Sequence, residues 1–390
     1  MLAPSERELR QAYVNKRVFL TGHTGFKGGW LALWLKELGA EVYGYALAPD
    51  TSPALFEVAK VGQACTQSTV ADIRDGAALE RSLEEARPDY VFHLAAQPLV
   101  RLSYEDPVGT VETNVIGTAR LLDALRRRAR RCAVVVVTSD KCYENREWSY
   151  GYREDDAMGG YDAYSMSKGA AELVVASFRR SFFPPARLAA HGVAVASARA
   201  GNVIGGGDWA KDRILPDCIS ALAGERAIQV RNPESVRPWQ HVLEPLGGYL
   251  LLGARLAGVG TATPDRFCEA WNFGPSIESA RPVRDLVEAV IRGWGGGTWQ
   301  DRRDPNAPHE AGFLRLSIEK AHARLGWSPR WDFGGTIEAT VVWYRAFYRR
   351  PARVDLGALA LSQIQDYMRP HEDSATGGNA ETALLLRADD

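Results

Sequence analysis

The sequence predicts an α/β fold: a Rossmann-like, doubly wound parallel sheet followed by a smaller C-terminal substrate-binding domain. Three observations predict it. Arg17-Val18-Phe19-Leu20-Thr21 is a short apolar strand that runs into Gly22-His23-Thr24-Gly25-Phe26-Lys27-Gly28, and then into Gly29 to Leu38, apolar at helical spacing. Strand, glycine turn and helix in that order let backbone N–H groups and a helix N-terminus cradle a pyrophosphate. The run Val134 to Val137 is β-branched and uncharged, which suits a parallel strand buried on both faces. Strands then alternate with helical segments until about Ala198, beyond which the alternation weakens.

Composition narrows the class. The chain has 390 residues, enough for one large α/β domain or a large and a small one. Hydrophobic residues make up 46% and charged residues 24%, as in soluble globular proteins. A formal net charge of −1 points to neither nucleic acid nor an anionic membrane. No apolar run approaches the ~18 residues of a membrane span, and Met1 to Arg17 has no apolar signal segment. Cys65, Cys132, Cys142, Cys218 and Cys268 are scattered, odd in number and without C-x-x-C spacing. Reduced cytoplasmic thiols fit them better than disulfides or zinc, and no metal site is expected. The 11 tryptophans, many of them late in the chain, read mainly as bulky core.

Ser5-Glu6-Arg7-Glu8 has capping-box spacing and opens a short leading helix. Glu41 to Ala46 is the second strand. An NAD site commonly carries an acid there for the ribose hydroxyls; here the strand ends in Ala46, with Asp50 a few residues on. No arginine cluster suits a 2′-phosphate, so the absence favours NAD over NADP. A third strand precedes Ala71-Asp72-Ile73-Arg74-Asp75, where Asp72 is either an adenine contact or a solvated acid. Pro88 to Ala96 is the fourth strand, and its small end, Leu94-Ala95-Ala96, lets a cofactor lie against backbone. His93 is either functional or a satisfied core histidine. Thr113-Asn114-Val115 opens a helix, with Asn114 a cap or a polar contact within the sheet. The fifth strand is the valine run.

That strand ends in Thr138-Ser139-Asp140-Lys141, at the carboxyl edge where open α/β sheets place ligands. Tyr164 and Lys168 follow, four apart, so they share a helix face. An ammonium there would stabilise the phenolate and lower its pKa, as suits a base that removes a hydroxyl proton. The helix continues to about Phe178. Val193 to Ala198 is the sixth strand, delivering Arg199 to Trp209, a glycine-rich loop with Asn202 and Asp208 that resembles a ligand loop. Arg213, Arg231, Arg237, Trp239 and Gln240 suit a diphosphate joined to a base, or are solvated surface. Residues 14–205 are expected to be mainly the dinucleotide-binding domain, and 206–350 mainly the substrate domain, interwoven with the last sheet elements. Gly295-Gly296-Gly297 and Pro305 to Pro308 mark loops, and 370–390 reads as a disordered tail.

Together, Thr21 to Gly28, His93-Leu94-Ala95-Ala96-Gln97-Pro98-Leu99-Val100-Arg101, Thr138 to Tyr143 and Tyr164-x-x-x-Lys168 resemble the extended short-chain dehydrogenase/reductases. More narrowly they resemble the CDP-glucose 4,6-dehydratase family, and Arg237 to Val242, Trp271 to Gly274 and Leu325 to Pro329 are similar to later segments of it. The likeness spans roughly Lys16 to Tyr348. Its specific part is Asp140-Lys141-Cys142-Tyr143, because the dTDP- and UDP-sugar relatives usually carry Asp-Glu there.

The resemblance implies that CDP-D-glucose becomes CDP-4-dehydro-6-deoxy-D-glucose plus water, with tightly bound NAD. It makes Tyr164 the base at the C4 hydroxyl, Lys168 its partner and Ser139 the donor to the C4 oxygen. Lys141 becomes the candidate C5 base and Asp140 the candidate acid at the C6 hydroxyl. It implies cofactor contacts from Gly22, Thr24, Gly25, Phe26, Lys27, Gly28, Asp72, Ile73, Leu94, Ala95, Ala96, Asn114, Tyr164 and Lys168. Substrate contacts would come from Gln97, Arg101, Asn202, Arg213, Arg237 and Gln240. A homodimer or dimer of dimers is implied, through two helices per subunit. The alternatives are another nucleotide-sugar dehydratase, a 4-epimerase, which would leave Asp140 and Lys141 idle, or a non-catalytic NAD sensor. A direct Asp140–Lys141 ion pair would oppose both of their roles, so their side chains are expected to diverge.

Overall fold

The computed structural model describes residues 5–128, 130–303, 313–349 and 354–369. The expected Pro305 to Pro308 loop and the tail from 370 lie outside them. Six strands appear in chain order: β1 (Arg17–Thr21), β2 (Glu41–Ala46), β3 (Gln67–Val70), β4 (Tyr90–His93), β5 (Cys132–Val137) and β6 (Val193–Ala200). A later strand, Ala270–Phe273, joins the same sheet beyond β6. Across the sheet the order is Ala270–Phe273, β6, β5, β4, β1, β2, β3, with every pairing parallel. The order reverses between β1 and β4, so the loops leaving those two strands diverge and open a crevice at the carboxyl edge.

Strand periodicity explains the central strands. Alternate side chains of a strand face opposite sides. Ala133, Val135, Ala194, Ala196 and Ala198 enter one core layer, and Val134, Val136, Val193 and Val195 the other. All eight residues of β6 are buried. Trp30, Trp34, Trp271, Trp327 and Trp343 are fully buried, in keeping with tryptophan as core.

Two helix boundaries differ from expectation. The helix expected to open at Thr113 begins earlier, at Pro107–Val111, where Asp106 accepts from the Gly109 amide (2.9 Å) and proline occupies the first turn. It passes through a π-helical turn, Glu112–Ile116, into Gly117–Arg128, so Asn114 sits mid-helix. The helix carrying Tyr164 and Lys168 spans Ala163–Ser181, beyond the expected end near Phe178.

The C-terminal part contributes helices Ile214–Ala223, Val283–Trp294 and Phe333–Arg349 and three two-stranded sheets. Helix Leu356–Met368 returns to pack on Phe26–Glu37, where the Trp34 indole donates to Met368 Sδ at 3.1 Å. Glu244, fully buried, accepts from the Trp331 amide at 2.7 Å and the Tyr367 hydroxyl at 2.8 Å. Burial raises its carboxyl to about 7, against the pull of those donors.

Candidate active site

The glycine turn after β1 needs glycine for steric reasons. Gly22 has φ +80°, and a Cβ on it would stand 2.8 Å from the Ala95 amide nitrogen. A Cβ on Gly28 would lie 2.0 Å from the Gly22 carbonyl oxygen. Gly25 begins the twelve-residue helix Phe26–Glu37, and no side chain caps it. Its first N–H groups therefore point into the crevice without an intrahelical acceptor. A cradle that a single methyl would fill, backed by an uncapped helix N-terminus, fits a dinucleotide pyrophosphate.

The flanking residues complete this half. Thr24 donates to the Leu47 carbonyl at 2.8 Å. The Asp72 carboxylate is ion-paired with Arg74 at 2.7 Å, which holds it below the usual carboxylate range. Ile73 is buried. The Leu94 and Ala95 amides each donate to the Thr21 hydroxyl at 3.1 Å. His93 bonds Thr21 at 2.8 Å and Thr118 at 3.1 Å, and burial lowers its pKa to about 3. Of the two readings left open for His93, the satisfied core histidine is the observed one. Asn114 accepts from the Gln97 amide at 2.8 Å and donates to Ser167 at 2.8 Å, tying the loop after β4 to the Tyr164 helix.

Asp162 caps that helix, accepting from the Ser165 amide at 2.9 Å and its hydroxyl at 2.7 Å. Ser103 accepts from the Tyr164 amide at 3.1 Å. Ser139, at the end of β5, donates to Asp140 Oδ1 at 2.9 Å and acts on the Tyr164 phenol in the direction that lowers its pKa. The Lys168 ammonium lies 5.9 Å from the centre of the Tyr164 ring.

The expected lowering of the Tyr164 pKa is reversed in this state of the protein. Burial pushes the phenol up to about 12; Ser139 opposes this and Asp140 adds to it. Arg213 is the cation that lowers the phenol, and desolvation outweighs it. Burial also lowers Lys168 to about 8, against Cys142 and Glu172. Lys27 is lowered to about 8 by burial, then by Arg213 and Lys168.

Asp140 and Lys141 lie in a short 3₁₀ turn. Asp140 is 5% exposed, and its Oδ2 stands 2.8 Å from where a Cβ on Gly201 would be. Lys141 lines a small cavity with Asp140, Asn202, Arg237, Pro238 and Leu314. No ion pair joins Asp140 to Lys141 among the described residues.

The remaining candidates are distributed differently. The Gln97 amide is spent on Thr110 (2.8 Å) and the Leu99 amide (2.5 Å). Arg101 reaches Asp212 at 2.9 Å, and Arg213 reaches Asp208 at 2.8 Å. Gln240 is buried, with both amide atoms lacking partners among the described residues. The glycines of the expected ligand loop answer to packing: Cβ atoms on Gly206 and Gly207 would overlap Trp343 and Leu55. Sequence reasoning missed Ser103, Asp162 and Leu314. Only Asp162 carried a local signal, its capping distance from Ser165.

The family described as GDP-mannose 4,6 dehydratase matches residues 19–340. CDP-glucose 4,6-dehydratase of Salmonella typhimurium is 51% identical over 353 residues, covering 90% of this chain and 96% of that protein. dTDP-glucose 4,6-dehydratase of Streptomyces antibioticus is 30% identical over 277 residues, 70% of this chain and 75% of that one. Among solved structures, UDP-glucose 4-epimerase of Thermotoga maritima superposes with a TM-score of 0.70 at 20% identity, covering 84% of this chain and 98% of that one. dTDP-glucose 4,6-dehydratase of Streptomyces venezuelae, solved with NAD and TYD, gives 0.67 at 24% identity, covering 84% and 97%.

Proposed function

From the premise that the chain belongs to the GDP-mannose 4,6 dehydratase family, we propose that it converts CDP-D-glucose to CDP-4-dehydro-6-deoxy-D-glucose and water, as a hydro-lyase using NAD. One observation carries the reading: Asp140 and Lys141 line one small cavity at the end of β5, and Ser139, bonded to Asp140, acts on the Tyr164 phenol. The 51% identity to CDP-glucose 4,6-dehydratase supports the choice of sugar nucleotide.

In this reading Gly22, Thr24, Gly25, Phe26, Lys27 and Gly28 hold the pyrophosphate, with Asp72 and Ile73 at the adenine. Leu94, Ala95 and Ala96 lie along the cofactor, Asn114 fixes the loop beneath it, and Lys168 holds its ribose. When bound, NAD supplies a hydride acceptor for C4 and the donor that later reduces C6. Tyr164, once ionised, takes the C4 hydroxyl proton, and its pKa of about 12 means that bound ligands must bring it down. Ser139 donates to the developing C4 oxygen. The C4 ketone acidifies C5–H; Lys141 removes that proton, and Asp140 protonates the departing C6 hydroxyl. Asn202, Arg213, Arg237 and Gln240 line the path for the CDP group, with Gln97 and Arg101 at its entrance.

Residues 14–205 then carry mainly the cofactor and 206–350 mainly the nucleotide sugar. A homodimer is the proposed assembly, supported by Met166 and Leu173 on the Tyr164 helix and Val108 and Ile116 on the preceding one, each more than 40% exposed. A cytoplasmic setting is supported by five free thiols; no helix among the described residues is long and apolar enough to cross a membrane. Incubation with CDP-, dTDP-, UDP- and GDP-hexoses, read by mass, tests the reading. Loss of one water from CDP-glucose is expected; an isomer of unchanged mass would make the protein an epimerase.

A further inference from the structure

The residues assigned to the chemistry sit on two separate pieces of chain: the end of β5, with Ser139, and the helix with Tyr164 and Lys168. One buried carboxylate joins them. Glu172 follows Lys168 by four residues, on the same helix face, and is 4% exposed. Its Oε1 accepts from the Thr138 hydroxyl at 2.5 Å. Its Oε2 accepts from Ser197 at 2.7 Å and from Arg199 at 2.8 Å, both on β6. Arg199 continues to the Tyr143 hydroxyl at 2.7 Å, and Tyr143 to Asn272 at 2.8 Å. Thr138 is covalently next to Ser139, so the bond to Glu172 fixes where the Ser139 hydroxyl stands relative to Tyr164.

We propose that Glu172 is a positioning residue: it locks the end of β5, and with it Ser139, to the Tyr164 helix and places a buried carboxylate one turn beyond Lys168 on the same helix face. This rests on the reading of Tyr164 and Lys168 as the proton-handling pair. The groups electrostatically coupled to Lys168 are Cys142 on the loop after β5, His93 at the end of β4, Lys27 on the first sheet helix and Glu172 on its own helix. Burial raises the Cys142 thiol well above its usual value and drops His93 to about 3, so both are neutral at working pH. Lys27 is a cation that repels. Burial pushes the Glu172 carboxyl up, but Arg199, Thr138 and Ser197 together outweigh it and hold the group below its ordinary value. Glu172 is thus the negative charge among these coupled groups.

Two variants test this. Thr138→Val keeps the Glu172–Arg199 pair and removes only the link to β5. It should lower kcat roughly tenfold with KM unchanged, because misalignment costs rate more than binding. Glu172→Gln alone strands the buried Arg199 charge, so it is paired with Arg199→Met. Losing the carboxylate makes Lys168 give up its proton at lower pH. The alkaline limb of the kcat–pH profile should therefore move down by roughly one unit. A purely structural role would lower Tm and leave that limb in place. An unmoved limb in the folded double variant, or wild-type kcat in Thr138→Val, overturns the proposal. Tyr164→Phe is assayed alongside: if it keeps wild-type kcat, the reading beneath has failed and the proposal falls with it.

Discussion

The loops leaving β1 and β4 meet at Gly22 and Ala95, where a Cβ on the glycine would stand 2.8 Å from the alanine amide nitrogen. That amide already donates to the Thr21 hydroxyl, so the alanine backbone cannot retreat without breaking the bond. Gly22→Ala should cost about 1–3 kcal/mol of stability through overpacking. It should also abolish saturable NAD binding. Calorimetric titration of the folded variant checks this, and wild-type affinity would mean the cofactor does not use this turn.

Tyr164→Phe removes the hydroxyl that Ser139 engages and leaves the ring under Lys168. Turnover should fall roughly 10²–10⁴-fold, the usual cost of losing a general base. NAD affinity should stay within a few-fold of wild type. Half of normal activity or more would remove Tyr164 from the chemistry.

On the proposed reading, Asp140 and Lys141 divide the reaction: oxidation at C4 would use Tyr164, Lys168 and Ser139, and elimination would also use a C5 base and a C6 acid. Asp140→Asn and Lys141→Met should therefore give absorbance of reduced nicotinamide with CDP-glucose but no 6-deoxy product. In deuterated solvent the wild type should place deuterium at C5 of its product. Full product formation by both variants would end the assignment of the two residues.

Acid should destabilise the fold beginning near pH 6.5. Burial lowers His23 to about 4 and His93 and His241 to about 3, from 6.5 when unfolded. Above 6.5 all three are neutral in both states and contribute no pH dependence. As pH falls below 6.5 the unfolded chain takes up protons that the native fold refuses, so stability drops. Glu244 works the other way: its native value of about 7 against 4.5 makes the folded state the better proton acceptor between those limits. The net slope between pH 6.5 and 4.5 should therefore approach two protons, three from the histidines less one from Glu244. Urea unfolding across that range measures it, and a flat profile would contradict the burial argument.

Local features of this site were legible in the sequence. The glycine turn, the valine strand and the Tyr164/Lys168 spacing each lie within a few residues, where turn sterics and helical or strand periodicity leave a pattern. Relations across the fold were not legible. Glu172 meets Arg199 27 residues on, and Tyr143 meets Asn272 129 residues on, with no periodic signature. The Tyr164 pKa went the opposite way because four-residue spacing reports proximity to Lys168, while desolvation depends on everything packed around both. The helix expected at Thr113 starts at Pro107 because Asp106 caps it and Pro107 occupies its first turn.

Gly169 allows the Tyr164 helix to touch the chain that follows Lys141: a Cβ there would lie 2.9 Å from the Gly159 carbonyl oxygen and 3.1 Å from that of Cys142. The Gly159 amide in turn donates to the Cys142 carbonyl at 3.0 Å. The groups proposed for oxidation and those proposed for elimination therefore lie on chain segments in direct contact. On the proposed reading, a keto-sugar formed there would meet its next catalysts without a hand-over between separate parts, which would commit each oxidised sugar to the whole sequence.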